Sequence, residues 1–242
     1  MSSNIVKPKI SVLLTVWKRN NLEKQLQQIS LQTLKPDYLI VFQNENHVDV
    51  KNIVKKYNCI HIQNSYNTKF FGRFACLLTY QVDICIVMDD DIIPGINCIN
   101  NYVSQCLILN SIIGGNGRIG MNNKVKGLIR PRDTGTRKNP TLVDFVGHLW
   151  CFKKDWLYYM FSIKPFTFDT GEDMHLCFTS KILGNINSYT AQQSNINDVC
   201  DTYNNLLAND EYSSFKVTNS QLRSDVEKYF IENYKLKLIT KN

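Results

Sequence analysis

The chain has 242 residues, 43% of them hydrophobic and 20% charged, enough apolar material for the core of one domain and too much for wholesale disorder. No apolar run reaches the roughly 18 residues that span a bilayer, and Met1–Lys9 is polar without the apolar stretch of a secretory signal, so a soluble, cytoplasmic protein is expected. The net charge of +7 admits an anionic ligand, whether nucleic acid, lipid head group or nucleotide phosphate, without choosing among them.

Ile10–Val16 (ISVLLTV) is a continuous apolar run, the pattern of a strand covered on both faces. Asn20 or Asn21 can cap a following helix, in which Leu22, Leu26 and Ile29 recur at helical spacing. Pro36 ends that helix, and Tyr38–Phe42 (YLIVF) reads as a second buried strand. Val48–Tyr57 reads as a helix, Cys59–Ile62 as a short strand, Phe70–Tyr80 as a helix and Ile84–Met88 (ICIVM) as a fourth strand. Repeated alternation of strand and helix predicts βαβ units and a parallel sheet.

The remainder is less regular. Asn97–Leu109 reads as a helix, and Gly114–Asn139 as a loop-rich stretch carrying Arg118, Lys124, Lys126, Arg130, Arg132, Arg137 and Lys138 against the single acid Asp133. Leu142–Val146 and Leu149–Phe152 are expected as short strands around Gly147, Glu172–Leu183 as a helix and Leu222–Leu238 as a basic terminal helix. No internal repeat or low-complexity linker interrupts the chain, so one α/β domain with a parallel half and a mixed half is expected over residues 1–242.

None of the eight cysteines forms a CxxC pair, and Cys76, Cys85 and Cys151 lie in apolar runs, which points to buried reduced thiols and away from a zinc site or disulfide framework. Abundant Asn, Ile and Lys beside only Ala75, Ala191 and Ala208 is the codon signature of an AT-rich gene, as in a giant DNA virus or an AT-rich microbe. It carries no chemistry.

The strongest chemical signal is Asp89-Asp90-Asp91, directly after ICIVM and before Ile92-Ile93-Pro94-Gly95. In an open α/β sheet, ligands bind beyond the carboxyl ends of the strands. Three adjacent carboxylates repel one another and resist desolvation, so a strand that delivers them there needs compensating positive charge. A hard divalent cation, Mn²⁺ or Mg²⁺, supplies it, commonly through one or two carboxylates plus substrate phosphates. A solvated acidic turn or a helix cap is the alternative. A second acidic element is Gly171-Glu172-Asp173, which on its residues alone reads as helix N-terminal acids stabilised by the macrodipole, with Asp169 or Thr170 as cap.

Five segments occur in a recognisable order: ISVLLTVWKR, FFGRFACLL, IVMDDDIIPG, VDFVGHLWCFKKDWL from Val143 and TGEDMHL from Thr170. Together they resemble glycosyltransferases of the GT-A fold, close to the family 2-like enzymes that use nucleotide-sugar donors. The resemblance implies a Rossmann-like, mostly parallel sheet flanked by helices, with a nucleotide-binding half at about 8–95 and a mixed, acceptor-side half at about 96–242.

It also implies roles for particular residues. Asp89 and Asp91 would serve a Mn²⁺ or Mg²⁺ ion and the donor's ribose or diphosphate, with Asp90 between them, and Arg73 would reach the nucleotide. Thr15, Trp17 and Arg19 would hold base and ribose. Gln43, Asn44 and Glu45 stand where relatives often carry an acid that reads the uracil edge. Asp173 would be the general base on the acceptor hydroxyl and Glu172 an acceptor-binding or orienting residue. Asp144, His148 and Trp150 would line the acceptor side, and His175 would support metal or acceptor. Relatives often place a metal-binding His after the ED pair, whereas Ala191–Asp201 offers Asn195, Asn197, Asp198 and Asp201 instead. Arg118–Lys138 would close over the diphosphate or bind an acidic acceptor.

The expected activity is transfer of a hexose from a UDP-sugar, with UDP-glucose the first guess, to a glycan or other hydroxyl acceptor with inversion. No nucleic acid and no membrane span enters this reading, and no oligomeric state is read. Two alternatives compete. A nucleotidyltransferase would need a glycine-rich, basic loop after the first strand, where the chain reads TVWKRNN. A basic nucleic-acid-binding module lacks its usual helical or zinc motifs and leaves the acidic triplet without a role.

Overall fold

The computed structural model describes residues 7–121, 127–129 (main chain alone), 137–203, 206–208, 210–213 and 220–239. Its first half runs β1 (Ile10–Val16), α1 (Leu22–Ser30), β2 (Tyr38–Asn44), α2 (Lys51–Lys56), β3 (Ile60–Asn64), α3 (Gly72–Ala75) with a 3₁₀ turn at Cys76–Thr79, and β4 (Ile84–Met88). Its second half runs α4 (Cys98–Leu109), β5 (Ile112–Ile119), β6 (Gly127–Ile129), β7 (Thr141–Val143), β8 (Phe145–Lys153), α5 (Trp156–Ser162), α6 (Glu172–Gly184), β9 (Ser188–Thr190) and α7 (Ser220–Tyr234).

The strands join one mixed sheet in the order β3-β2-β1-β4-β8-β5-β9-β7, with β6 paired to β5. The first four are mutually parallel. Burial explains the sequences of the two inner ones: every residue of β4 and all of β1 except Thr15 are buried, so no alternation of polar and apolar side chains is needed. β8 enters antiparallel to β4 and β5, β9 lies parallel to β5, and β7 closes the edge antiparallel to β9. The expected α/β architecture, parallel then mixed, is therefore present.

Several local expectations need correction. The expected helix Phe70–Tyr80 is one α-turn followed by a 3₁₀ turn. At its start, Gly72 lies so close to Thr68 that an added Cβ would sit 2.2 Å from Oγ1. The stretch from Gly114, expected as loop, begins as β5, a central strand. Its glycines answer to packing: a Cβ on Gly114 would lie 2.2 Å from Cβ of Val146, and one on Gly117 2.6 Å from Cγ2 of Thr190. Lys124, Lys126, Arg130, Arg132 and Asp133 of the basic stretch lie outside the described residues.

The two short strands expected around Gly147 are really β7, ending at Val143, and one long β8 that runs through Gly147. A bulge makes this possible. The β5–β8 register shifts between Gly114 and Asn116, and opposite it His148 adopts a φ of 68°. α5 and β9 had no counterpart among the expected elements. α7 stops at Tyr234, where Lys235 turns left-handed (φ 57°) and the chain folds back so that Leu236 N–H donates to Phe230.

All eight cysteines are free thiols. Among the described residues, no helix is long and apolar enough to cross a membrane.

Candidate functional site

The acidic triplet begins where β4 ends. Asp89 N–H donates to His148 O (3.0 Å), carrying the β4–β8 pairing one step beyond the strand. α1 then grips the turn. Gln25, fully buried, donates through Nε2 to Asp89 O (2.7 Å) and Ile92 O (2.9 Å), and Asn21 Nδ2 donates to Asp90 O (3.0 Å). Asn21 does occupy the N-cap of α1, but its side chain makes no cap hydrogen bond because it is engaged with the triplet.

Among the described residues, three guanidinium groups face the acids. Arg19 Nη1 lies 2.5 Å from Asp90 Oδ1 and 3.2 Å from Asp91 Oδ2, while its Nε and Nη2 clasp Asp210 at 2.6 and 2.7 Å. Arg73, buried, contacts Asp89 through Nη1 and Glu172 Oε1 through Nη2 at 2.8 Å. Its guanidinium carbon stands 4.6 Å from the centroid of Trp150, a cation–π contact. Arg223 Nη2 lies 2.6 Å from Asp173 Oδ2. Six carboxylates thus share three arginines.

The excess negative charge is felt most at Asp91. Burial, then the charges of Asp89 and Asp90, pushes its carboxyl up to about 8 against the pull of Arg19, and its buried Oδ1 has no hydrogen-bond partner among the described residues. Among the described residues, no three His, Cys, Asp or Glu side chains converge as a ready-made metal cluster. Asp89 and Asp91 instead offer two carboxylates, the donor set that Mg²⁺ or Mn²⁺ uses when phosphates and water complete its shell. The orphaned Oδ1 fits that use. The later loop adds little: Asp198 is bound to Asn97, Ser194 and Asn195, while Asp201 Oδ1 accepts from Ile93 N and Tyr203 N. The charge of Asp201 still raises Asp91 further.

The second acidic element opens α6. Its N-cap is Gly171, at φ 81°, and neither Asp169 nor Thr170; the left-handed backbone and Val226 of α7, 3.1 Å from where a side chain would begin, both suit glycine there. Glu172 and Asp173 are both buried in the first turn. Asp173 Oδ1 accepts from Met174 N–H at 2.8 Å. Burial and the neighbouring Asp173 raise the Glu172 carboxyl to about 7, with Arg73 and Arg223 pulling the other way. Across from Asp173, Gly147 of β8 leaves room among the described residues: of these, apart from its chain neighbours, a Cβ there would have only Asp173 Oδ2 and Trp150 Cζ2 near it, each at 4.0 Å.

The other expected residues divide. Trp17 is half-buried, donates to Glu45 Oε2 (2.9 Å), meets His47 and Tyr212 edge-on, and carries Lys18 Nζ 4.5 Å above its ring. Thr15 Oγ1 donates to Met88 O (3.0 Å), tying β1 to the end of β4. Asn44 builds the loop after β3, accepting from Thr68 N and Oγ1 and donating to Asn67. Gln43 is similarly engaged with His61 and Val48 O. Asp144 uses both oxygens on the main chain, at Gly120 N (2.8 Å) and Ile239 N (2.9 Å). Trp150 is core, its Nε1 donating to Val146 O. His175 faces the carbonyls of Met160 and Ile163 between the rings of Phe71 and Phe230, and burial lowers its pKa, so it serves the core.

Arg223 and Asp210 were not anticipated. Both come from the last third of the chain, and nothing in SQLRSDVEKYF or LLANDEY marks either residue as the partner of a distant carboxylate.

No protein-family profile and no curated protein matches the chain. Among solved structures, it is similar to S. aureus TarS, a glycosyltransferase, with a TM-score of 0.50 and 13% identity over 76% of this chain and 36% of that one. Residues 1–349 of TarS match with a TM-score of 0.56 and 15% identity over 76% of this chain and 60% of that one. This chain therefore spans less than two thirds of either. At such identities the likeness shows the fold, a GT-A-like glycosyltransferase fold.

Proposed function

We propose that the chain is a metal-dependent, inverting glycosyltransferase of family 2-like type, moving a hexose from a UDP-sugar to a hydroxyl of a glycan or small acceptor. One observation carries this reading. Arg73 joins Asp89, at the carboxyl end of β4, to Glu172, at the head of α6, so the two acidic elements form one site. A donor-side and an acceptor-side carboxylate cluster placed together is what a single-step glycosyl transfer needs.

Each residue then has a task. A Mn²⁺ or Mg²⁺ ion held by Asp89 and Asp91 would supply Lewis-acid stabilisation of the departing nucleoside diphosphate. Trp17 offers an aromatic surface for the base, and Arg19 offers donors to the phosphate oxygens in place of Asp210. Asn44 shapes the loop beside that pocket. Asp173 takes the proton of the acceptor hydroxyl as its oxygen bonds to the anomeric carbon and the bond from that carbon to the diphosphate breaks. Glu172, fixed by Arg73, orients the acceptor. The open space at Gly147 receives it, in front of His148 and Trp150.

The test is turnover of radiolabelled UDP-hexoses, UDP-glucose first, with Mn²⁺ and a panel of mono- and oligosaccharide acceptors. Release of UDP with transfer of label by wild type, reduced by at least about 100-fold in Asp173→Asn, is the expected outcome. No turnover of any nucleotide sugar by folded protein contradicts the proposal.

A further inference from the structure

We propose that Arg223 is a positioning residue of this reaction: from α7, it fixes the carboxylate of Asp173 and compensates the negative charge of the Glu172–Asp173 pair. The inference rests on the reading of Asp173 as the base and goes beyond it, because α7 lies outside every segment that pointed to the site.

The geometry is specific. Arg223 Nη2 meets Asp173 Oδ2 at 2.6 Å, and Nη1 reaches Thr170 Oγ1 at 3.4 Å, so the fork spans the residues flanking the Gly171 cap. Its guanidinium carbon lies 5.8 Å from the centroid of Phe145, which gives the fork a wall on the β8 side. With Oδ1 held by Met174 N–H, both oxygens of Asp173 have fixed directions. Oδ2, the one Arg223 holds, is also the oxygen nearest the open space at Gly147.

The charge argument is independent of orientation. Adjacent buried carboxylates cannot both ionise without compensation; one retains a proton. Here each has its own arginine from a different element, Arg73 from α3 for Glu172 and Arg223 from α7 for Asp173. Among the described residues, the other titratable groups that bear on the pair are Asp89 beyond β4, which raises Glu172, and Cys177, whose thiol feels both Asp173 and Asp144. None of these supplies positive charge. Burial and Asp173 already raise the Glu172 carboxyl to about 7 with Arg223 in place; without Arg223 the pair would keep its proton to higher pH, and a base that carries it accepts nothing from the acceptor hydroxyl.

The experiment uses the full chain labelled with ¹³C in its Asp and Glu carboxyl groups. Wild type, Arg223→Met and Arg223→Lys are titrated by NMR, with Asp173→Asn and Glu172→Gln assigning the signals. The same proteins are assayed for UDP-hexose turnover against pH. We expect Arg223→Met to raise the midpoint of the pair by about one pH unit or more. The acid limb of kcat should move by the same amount, while the donor KM stays within about twofold. Arg223→Lys, which keeps the charge without the fork, should keep the midpoint and lose part of kcat, and it answers the question if the Met variant does not fold. An unchanged midpoint in Arg223→Met, or a loss of rate uniform across pH, overturns the inference; so does an Arg223→Lys enzyme indistinguishable from wild type. If wild type turns over no nucleotide sugar, the transferase reading fails, and the role of Arg223 in it fails with it. A working wild type beside an Arg223→Met enzyme with an unshifted profile sinks the inference alone.

Discussion

Arg73 and Glu172 form a buried ion pair, 2.8 Å between Nη2 and Oε1, that bridges 99 positions of sequence and joins the parallel half of the fold to the head of α6. The other guanidinium nitrogen is committed to Asp89, and Nε is buried with no partner among the described residues. Arg73 thus acts as a fixed counter-charge between two acidic elements. Removing one member of such a buried set leaves the others uncompensated. Arg73→Met is expected to destabilise the fold by about 3–5 kcal/mol, read as a lower urea midpoint with an unchanged slope. Arg73→Lys should recover only part of this, because an ammonium cannot reach two carboxylates in a fork.

The pH dependence of stability follows from Glu172. Its folded-state pKa of about 7 lies above the ordinary 4.5, so between those values the folded chain holds a proton that the unfolded chain has released. Stability from this group is therefore greatest below 4.5 and is lost as pH rises towards 7. Relative to Glu172→Gln, wild type should lose on the order of 2 kcal/mol between pH 5 and pH 8. Urea unfolding of both proteins at the two pH values checks this. Equal pH slopes would mean that Glu172 is ionised throughout.

Gly147 tests where the acceptor sits. The backbone there is compatible with a side chain, and among the described residues beyond its chain neighbours the nearest atoms to a new Cβ are an ordinary 4.0 Å away. Gly147→Val should fold, since β-branched residues suit a strand. It should leave donor binding intact and lower transfer at least about tenfold by occupying the space in front of Asp173. Transfer at the wild-type rate would place the acceptor elsewhere.

Gly114 gives the complementary structural test. A methyl group there meets Val146 Cβ at 2.2 Å, in the core between β5 and β8, where neither strand can step aside. Gly114→Ala should cost about 1–3 kcal/mol, measured by denaturant unfolding, although alanine is tolerated in most strands.

β1 and β4 were legible because a strand buried on both faces needs an unbroken apolar run, and ISVLLTV and ICIVM are such runs. The same logic misled at β5. IIGGNGRI has the composition of a loop until Val146, Val143 and Thr190 are seen pressing on its glycines. In the candidate site, the acids Asp89, Asp91, Glu172 and Asp173 stand out in the sequence because each follows or opens a regular element. Their pairing with arginines does not: Arg19 and Arg73 are expected at the nucleotide, and nothing marks Arg223. Arg19 meets Asp90 across 71 positions, and Arg223 meets Asp173 across 50, distances at which a sequence keeps no local trace of pairing. Asn44 and Asp144 show the converse error: polar residues at strand ends that the resemblance assigns to substrates hold the main chain of nearby loops.

The central claim is that the acidic triplet holds a nucleotide sugar together with a divalent ion, and binding to the native state reads it most directly. Thermal unfolding of wild type and Asp91→Asn would be followed with a panel of nucleotide sugars, with and without Mn²⁺. A ligand at 100 times its Kd should stabilise the native state by about 2.7 kcal/mol. The account requires a clear rise in Tm for wild type with one UDP-sugar and Mn²⁺ together, absent in an Asp91→Asn protein that is itself folded. No rise with any nucleotide sugar, or the same rise in both proteins, would contradict it.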